Sequence, residues 1–101
     1  MSVLATYTKQ PVERKDYDVD YADWLQHDPG DTLDSVDHAV TLLAGPADAP
    51  LVVERIDITA NTAKVWVLGG VHGARYKVEL TVTTQRGRID QSELIFKVKD
   101  Y

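Results

Sequence analysis

Residues 64–88 read KVWVLGGVHGARYKVELTVTTQRGR, and this stretch decides the fold. Val65, Trp66, Val67 and Leu68 form a short apolar run of strand-forming residues, stopped by Gly69, Gly70 and Gly73. After the glycines, Tyr76, Val78, Leu80 and Val82 alternate with Lys77, Glu79, Thr81 and Thr83. A period of two over this length predicts a strand with one buried face and one wet face. Tyr76, three residues after Gly73 at the head of that strand, fits a tyrosine corner, in which the hydroxyl bonds nearby backbone. Two such strands cannot bury their own faces, so the remainder of the chain has to supply a facing sheet. The glycines are followed by no Lys-Ser/Thr pair and open no helix, so they predict a tight crossover rather than a phosphate loop.

Working outward, Gln85-Arg86-Gly87-Arg88 turns the Tyr76 strand into a last one, where Leu94, Phe96 and Val98 share a face. Upstream, Ala60-Asn61-Thr62 joins the 64–68 run, as a hairpin, to a strand over 51–59 whose alternation is out of phase in places. Residues 45–50, GPADAP, read as a loop. A further strand is expected from about Asp31 to Leu43, bulged near Asp37. Tyr17, Val19 and Tyr21 alternate with Asp16, Asp18 and Asp20, which predicts a first strand with an acidic outer face. Aspartate disfavours strands, so that strand belongs at a sheet edge, where its charges discourage further pairing. Residues 21–26 suggest one short helical turn that tucks Trp24 under the sandwich, before the turn His27-Asp28-Pro29-Gly30. Residues 1–12 are polar and end in Gln10-Pro11, an expected flexible or extended N-terminal arm. The expectation is a single domain over 13–101: an all-β, immunoglobulin-like antiparallel β-sandwich of six or seven strands.

With 101 residues there is room for one core. The chain has no cysteine, which excludes disulfides, zinc–thiolate sites and thiol nucleophiles together and leans toward folding in a reducing cytosol. Its first residues lack a basic segment followed by an apolar run, and no stretch reaches membrane-spanning length, so neither a signal peptide nor a membrane partner is expected. Net charge is −5 and unevenly placed: residues 1–50 hold ten acids against three bases, residues 51–101 six against eight. An acidic balance argues against nucleic acid as a partner. The bipolar distribution favours head-to-tail contact with neighbouring copies, or simply keeps the domain soluble.

The aspartates are the loudest candidate site. Asp16, Asp18, Asp20 and Asp23 precede Asp28, Asp31, Asp34 and Asp37. Oxygen-rich spacing suits calcium, yet no glutamate closes an EF-type loop, and aspartates on a strand splay along one face; a solvated acidic face is the expectation. Asp31 is read as serving the turn. An exposed strand face gives paired carboxylates no reason for the shifted pKa that glycosidase chemistry needs. His27, His38 and His72 lack a companion for zinc, and the serines lie in no nucleophile elbow. No enzyme activity, catalytic residue, metal or cofactor is therefore expected. Trp24 and Trp66 are read as core residues before sugar platforms. The Arg86–Arg88 tip is either solvated or able to grip a partner's carboxylate.

In order along the chain stand Asp16-Tyr17-Asp18-Val19-Asp20-Tyr21-Ala22-Asp23-Trp24-Leu25, Gly30-Asp31-Thr32-Leu33, Val65-Trp66-Val67-Leu68-Gly69-Gly70 with Gly73 and Tyr76, and Thr83-Thr84-Gln85-Arg86-Gly87-Arg88. This ordered set, over roughly residues 13–99, resembles small structural proteins of tailed bacteriophages and prophages, the fibre–tail adaptor or neck-region group with an immunoglobulin-like domain. Tyr21 stands where that pattern carries tryptophan, and His38 near another such position. The resemblance implies a non-enzymatic virion protein of the tail or neck, made in the host cytoplasm. Its implied partners are other phage structural proteins, or further copies of itself. Candidate interface residues are Asp16, Asp18, Asp20, Trp24, Arg86 and Arg88. The alternative is a carbohydrate-binding or adhesion module using Trp24 and the acidic loops.

Overall fold

The computed structural model describes residues 2–26 and 29–100, so the expected turn at His27 and Asp28 lies partly outside the described residues. Seven strands follow one another: β1 (Ser2–Lys9), β2 (Lys15–Asp20), β3 (Leu33–Ala44), β4 (Leu51–Ile58), β5 (Thr62–Gly69), β6 (Arg75–Thr84) and β7 (Ile89–Val98). A single helical turn, α1 (Ala22–Leu25), follows β2. One sheet has the order β1-β7-β6-β3 and the other β2-β5-β4. The central orders β3-β6-β7 and β2-β5-β4 are the C-F-G and B-E-D orders of an immunoglobulin-like sandwich. The expected hairpins are present, β4 with β5 and β6 with β7, both antiparallel. The glycine segment after β5 carries the chain from the smaller sheet to the larger one.

The core follows from the alternation. Val78, Leu80, Val82, Leu94 and Phe96 of the larger sheet and Val65 and Val67 of the smaller are fully buried, and Val19, Val53 and, just past β2, Tyr21 join them. Burying a side chain of this size stabilises by roughly 1.5–3 kcal/mol relative to leaving it wet. Aromatic contacts cross between the sheets: the Tyr17 ring meets Phe96 edge-on at 5.0 Å and Tyr7 lies 4.5 Å from Tyr17. The tyrosine corner is formed as well. The Tyr76 hydroxyl donates to the Ala49 carbonyl at 2.8 Å and accepts from the Val71 N–H at 3.2 Å. Loop 45–50, which takes the chain from one sheet to the other, is thereby pinned to the head of β6.

Three expectations change. Residues 2–9, read as a flexible or extended arm, are a strand that pairs in parallel with β7, so the sandwich is not wholly antiparallel. Parallel pairing of the first and last strands is a contact about 90 residues apart in sequence, beyond the reach of any local pattern. The inward position Lys9 conceals the alternation further. Only 1% exposed, its ammonium donates to the Gln10 carbonyl at 2.8 Å and the Gly69 carbonyl at 2.7 Å, which ties β1 to the end of β5. Burial holds the Lys9 pKa below its ordinary value. Second, β3 is regular through Asp37; its register shifts lie at Leu33/Ser35 and Leu42/Ala44. Third, the imperfect phase of 51–59 has its cause in a shift at Val53/Arg55, which brings Ile56 back toward the core.

Candidate functional site

The interaction-prone groups fall into three places. The first is the strip on β2. Asp16, Asp18 and Asp20 are all exposed, and β2 is an edge strand of its sheet, as the aspartates led one to expect. Asp16 reaches the Lys64 ammonium of β5 at 3.6 Å, and Asp20 accepts the Ala22 N–H at 2.9 Å, which starts the helical turn. Beside this strip, a cleft of about 220 Å³ opens between the β1 and β2 edges. Leu4, Tyr7, Val19 and Leu94 give it apolar walls, with Asp18 and Asp20 among its lining.

The second place is the Arg86–Arg88 turn, and its centre is a residue the sequence reading confined to turn chemistry. The Asp31 side chain is buried between the 29–32 segment and the β6–β7 hairpin. One carboxylate oxygen accepts the Thr32 N–H at 3.0 Å and the Arg86 N–H at 3.1 Å; the other accepts Arg88 Nε at 3.1 Å. Burial pushes the Asp31 pKa up, but hydrogen bonds from the Thr84 and Arg88 side chains and the Arg86 and Thr32 amides outweigh it and hold the carboxyl below the usual aspartate range. Arg88 also stacks over Trp24, its guanidinium carbon 4.8 Å from the ring centroid, and Tyr21 meets Trp24 edge-on at 6.3 Å. Trp24 is half-buried and packed on the core, as expected, and a ligand stacking on its Arg88 side would have to displace that side chain. Arg88 and Trp24 are therefore parts of an internal clamp; Arg86 is the exposed arginine of the turn.

The third place was not foreseen. Trp66, read as core, points outward from the smaller sheet, because Ala63, Val65 and Val67 take the inward positions of β5 and leave Lys64, Trp66 and Leu68 outside. The shared face with Lys64 was the available signal. Two guanidiniums lie over the Trp66 ring, Arg14 at 4.8 Å and Arg55 at 4.7 Å from its centroid. Arg14 pairs with Glu54 at 2.6 Å, Arg55 with Asp57 at 3.2 Å, and the indole N–H donates to Asp57 at 3.0 Å. Arg14 holds the Glu54 carboxyl below its ordinary pKa; Arg55 and then the indole do the same for Asp57. Trp and Arg are the residue types enriched at protein–protein hot spots.

Among the described residues, no group of three or more His, Asp or Glu is placed to hold a metal ion. The chain is a two-sheet β-sandwich whose charged side chains enter ion pairs, loop ties and outward-facing patches: a small all-β domain with several surfaces that suit protein contact. Its sequence matches, over residues 9–97, the family described as podophage GP4 fiber-tail adaptor protein gp77. The chain belongs to that phage tail-fibre adaptor family. No curated protein matches it.

Proposed function

We propose that this chain is a non-enzymatic virion component, made in the host cytoplasm, that joins neighbouring proteins of the phage tail through its surfaces. Membership of the fibre–tail adaptor family over residues 9–97 carries the reading. The placement of charge supports it. The β2 strip offers Asp16, Asp18 and Asp20 along one exposed edge, and the β6–β7 turn exposes the Arg86 side chain. On the larger sheet, exposed Arg75 and Lys97 sit directly opposite one another. Like charges in that relation repel, and an acidic partner surface relieves the repulsion. The chain thus carries both an acidic and a basic contact face, which suits head-to-tail joining of copies or of different tail proteins.

Particle incorporation tests this. With the wild-type chain detected in purified particles by mass spectrometry, Asp18→Lys together with Asp20→Lys is expected to reduce incorporation at least tenfold while the variant still folds by circular dichroism, its thermal melt lowered by loss of the Asp20–Ala22 bond and by Lys64 opposite position 18. Normal incorporation of that variant overturns the assignment of the β2 strip. Absence of the wild-type chain from particles overturns the virion reading itself.

A further inference from the structure

The two sheets meet differently on their two sides. β3 lies against β4, which closes one side of the sandwich. On the other side the β1 and β2 edges border the cleft of about 220 Å³, walled by Leu4, Tyr7, Val19 and Leu94. Tyr7, in contact with Tyr17 at 4.5 Å, bounds one end of it. Leu4 is 49% exposed, so the apolar wall is open to solvent. Small-molecule pockets occupy roughly 300–1,000 Å³. This cleft is smaller, and its volume suits one aliphatic side chain of a protein rather than a free ligand.

The rim is acidic, and its charge is not fully used within the chain. Asp16 has the Lys64 ammonium at 3.6 Å, and one oxygen of Asp20 accepts the Ala22 N–H. Lys64 stands directly opposite Asp18 in register but directs its ammonium to Asp16. The Asp18 carboxylate forms no hydrogen bond or ion pair with a described residue. It lies close enough to Tyr7 across the cleft to add to burial in raising the pKa of that hydroxyl. Asp18 and Asp20 are exposed and Val19 between them is buried, so these three residues of β2 present acid, apolar, acid. Alternate side chains of a strand stand roughly 7 Å apart on one face, the same repeat as in any extended segment.

We propose that the β1–β2 cleft receives an extended segment of a different protein that carries a basic–aliphatic–basic triplet, laid along the free edge of β2. Directly opposed residues of neighbouring strands share a face. The middle side chain therefore enters the cleft beside Val19 and Leu94, and the flanking lysines or arginines meet Asp18 and Asp20. Strand addition of this kind draws affinity from backbone bonds and specificity from alternate side chains. Aspartates that discourage a neutral or acidic strand favour a basic one. A second copy of this chain does not qualify. Its own basic–apolar–basic triplets are Arg75-Tyr76-Lys77 and Lys97-Val98-Lys99, and the middle residue of each is buried, Tyr76 and Val98 both at 3% exposure. The inference deepens the reading of the β2 strip as a contact surface, and rests on that reading for its place in the particle.

The probe is the capped peptide acetyl-Gly-Thr-Lys-Val-Lys-Thr-Gly-amide, titrated into the isotope-labelled full chain and followed by amide chemical shifts. Shifts are expected at Leu4–Tyr7 and Asp18–Asp20, with a Kd of about 1 mM or tighter. Glutamate in place of both peptide lysines, or glycine in place of the valine, should weaken binding at least tenfold. In the chain, Asp18→Asn should weaken it about threefold, as loss of an exposed ion pair does, and Leu4→Ser about tenfold. Both positions are exposed, and the spectrum of each free variant reports its fold. No shift at ten times that peptide concentration overturns the proposal. So do shifts confined to other strands, or equal binding of the glutamate or glycine peptide. If the peptide fails while Asp18→Lys with Asp20→Lys still blocks incorporation, the strip keeps its contact role and this occupant falls. If the peptide binds as expected while that variant is incorporated normally, the strip loses its role in the particle and the cleft stands.

Discussion

The Tyr76 hydroxyl offers the sharpest test of how the two sheets are held together. Tyr76 is 3% exposed, and its oxygen makes two backbone hydrogen bonds, one to Ala49 in the inter-sheet loop and one to Val71 in the glycine crossover. Tyr76→Phe keeps the ring and its packing and removes only that oxygen. Each lost bond is worth about 1 kcal/mol net, and a carbonyl and an amide left without a partner in the interior cost more. Ala49 and Val71 are only half-buried, so water can partly replace the hydroxyl. The expected total is therefore about 2 kcal/mol, at the low end of that range. In a domain of this length such a loss lowers Tm by roughly 8–16 °C. Urea unfolding followed by circular dichroism measures it, with an unchanged m-value showing that the variant still unfolds as one unit. Tyr21→Phe is the control: its hydroxyl has one long contact, 3.4 Å to Ser92, and its loss should cost less. A Tyr76→Phe loss under about 0.5 kcal/mol, half of one ordinary hydrogen bond, refutes the corner as an inter-sheet tie.

Two further perturbations probe the loops. Asp31 has a folded-state pKa below its ordinary 3.8, so its stabilisation is complete above the unfolded pKa and is lost as pH falls through the lower folded value. Asp31→Asn should lower stability at neutral pH and flatten the acid limb of a plot of urea midpoint against pH; a parallel acid limb in the variant contradicts the clamp. Gly45 and Gly87 both have positive φ, +92° and +86°. A side chain at Gly87 meets nothing within 4 Å, whereas one at Gly45 runs into the Gly73 carbonyl and Ala74 backbone. Gly87→Ala should cost only the left-handed strain, about 1–2 kcal/mol, and Gly45→Ala distinctly more, because backbone has to move. Equal midpoints in thermal unfolding would contradict that close approach.

Much of the fold could be read locally. The alternation of Tyr76 to Val82 and of Leu94 to Val98 marked β6 and β7, and the glycines between Leu68 and Tyr76 marked the change of sheet. Asp16, Asp18 and Asp20 marked β2 as an edge. These readings succeeded because strand periodicity and turn chemistry are properties of a few neighbouring residues. The candidate surfaces were only half readable. The exposed aspartates were found, but Trp66 was assigned by residue type, although its phase with Lys64 already turned it outward. Arg88 looked like a free tip because the carboxylate that receives it, Asp31, lies 57 residues earlier.

By itself, then, the sequence determined that this protein is a cysteine-free all-β sandwich, which residues of β6 and β7 face inward, and where its hairpins turn. The tertiary structure alone decided that the first strand lies parallel to the last, that Lys9 and Asp31 are buried ties between distant segments, and that the β1 and β2 edges border a cleft. The physical reason is range. A side chain's alternation is set by its own backbone, but the partner that satisfies a buried charge, or the cleft that two strand edges border, exists only once segments far apart in the chain have met.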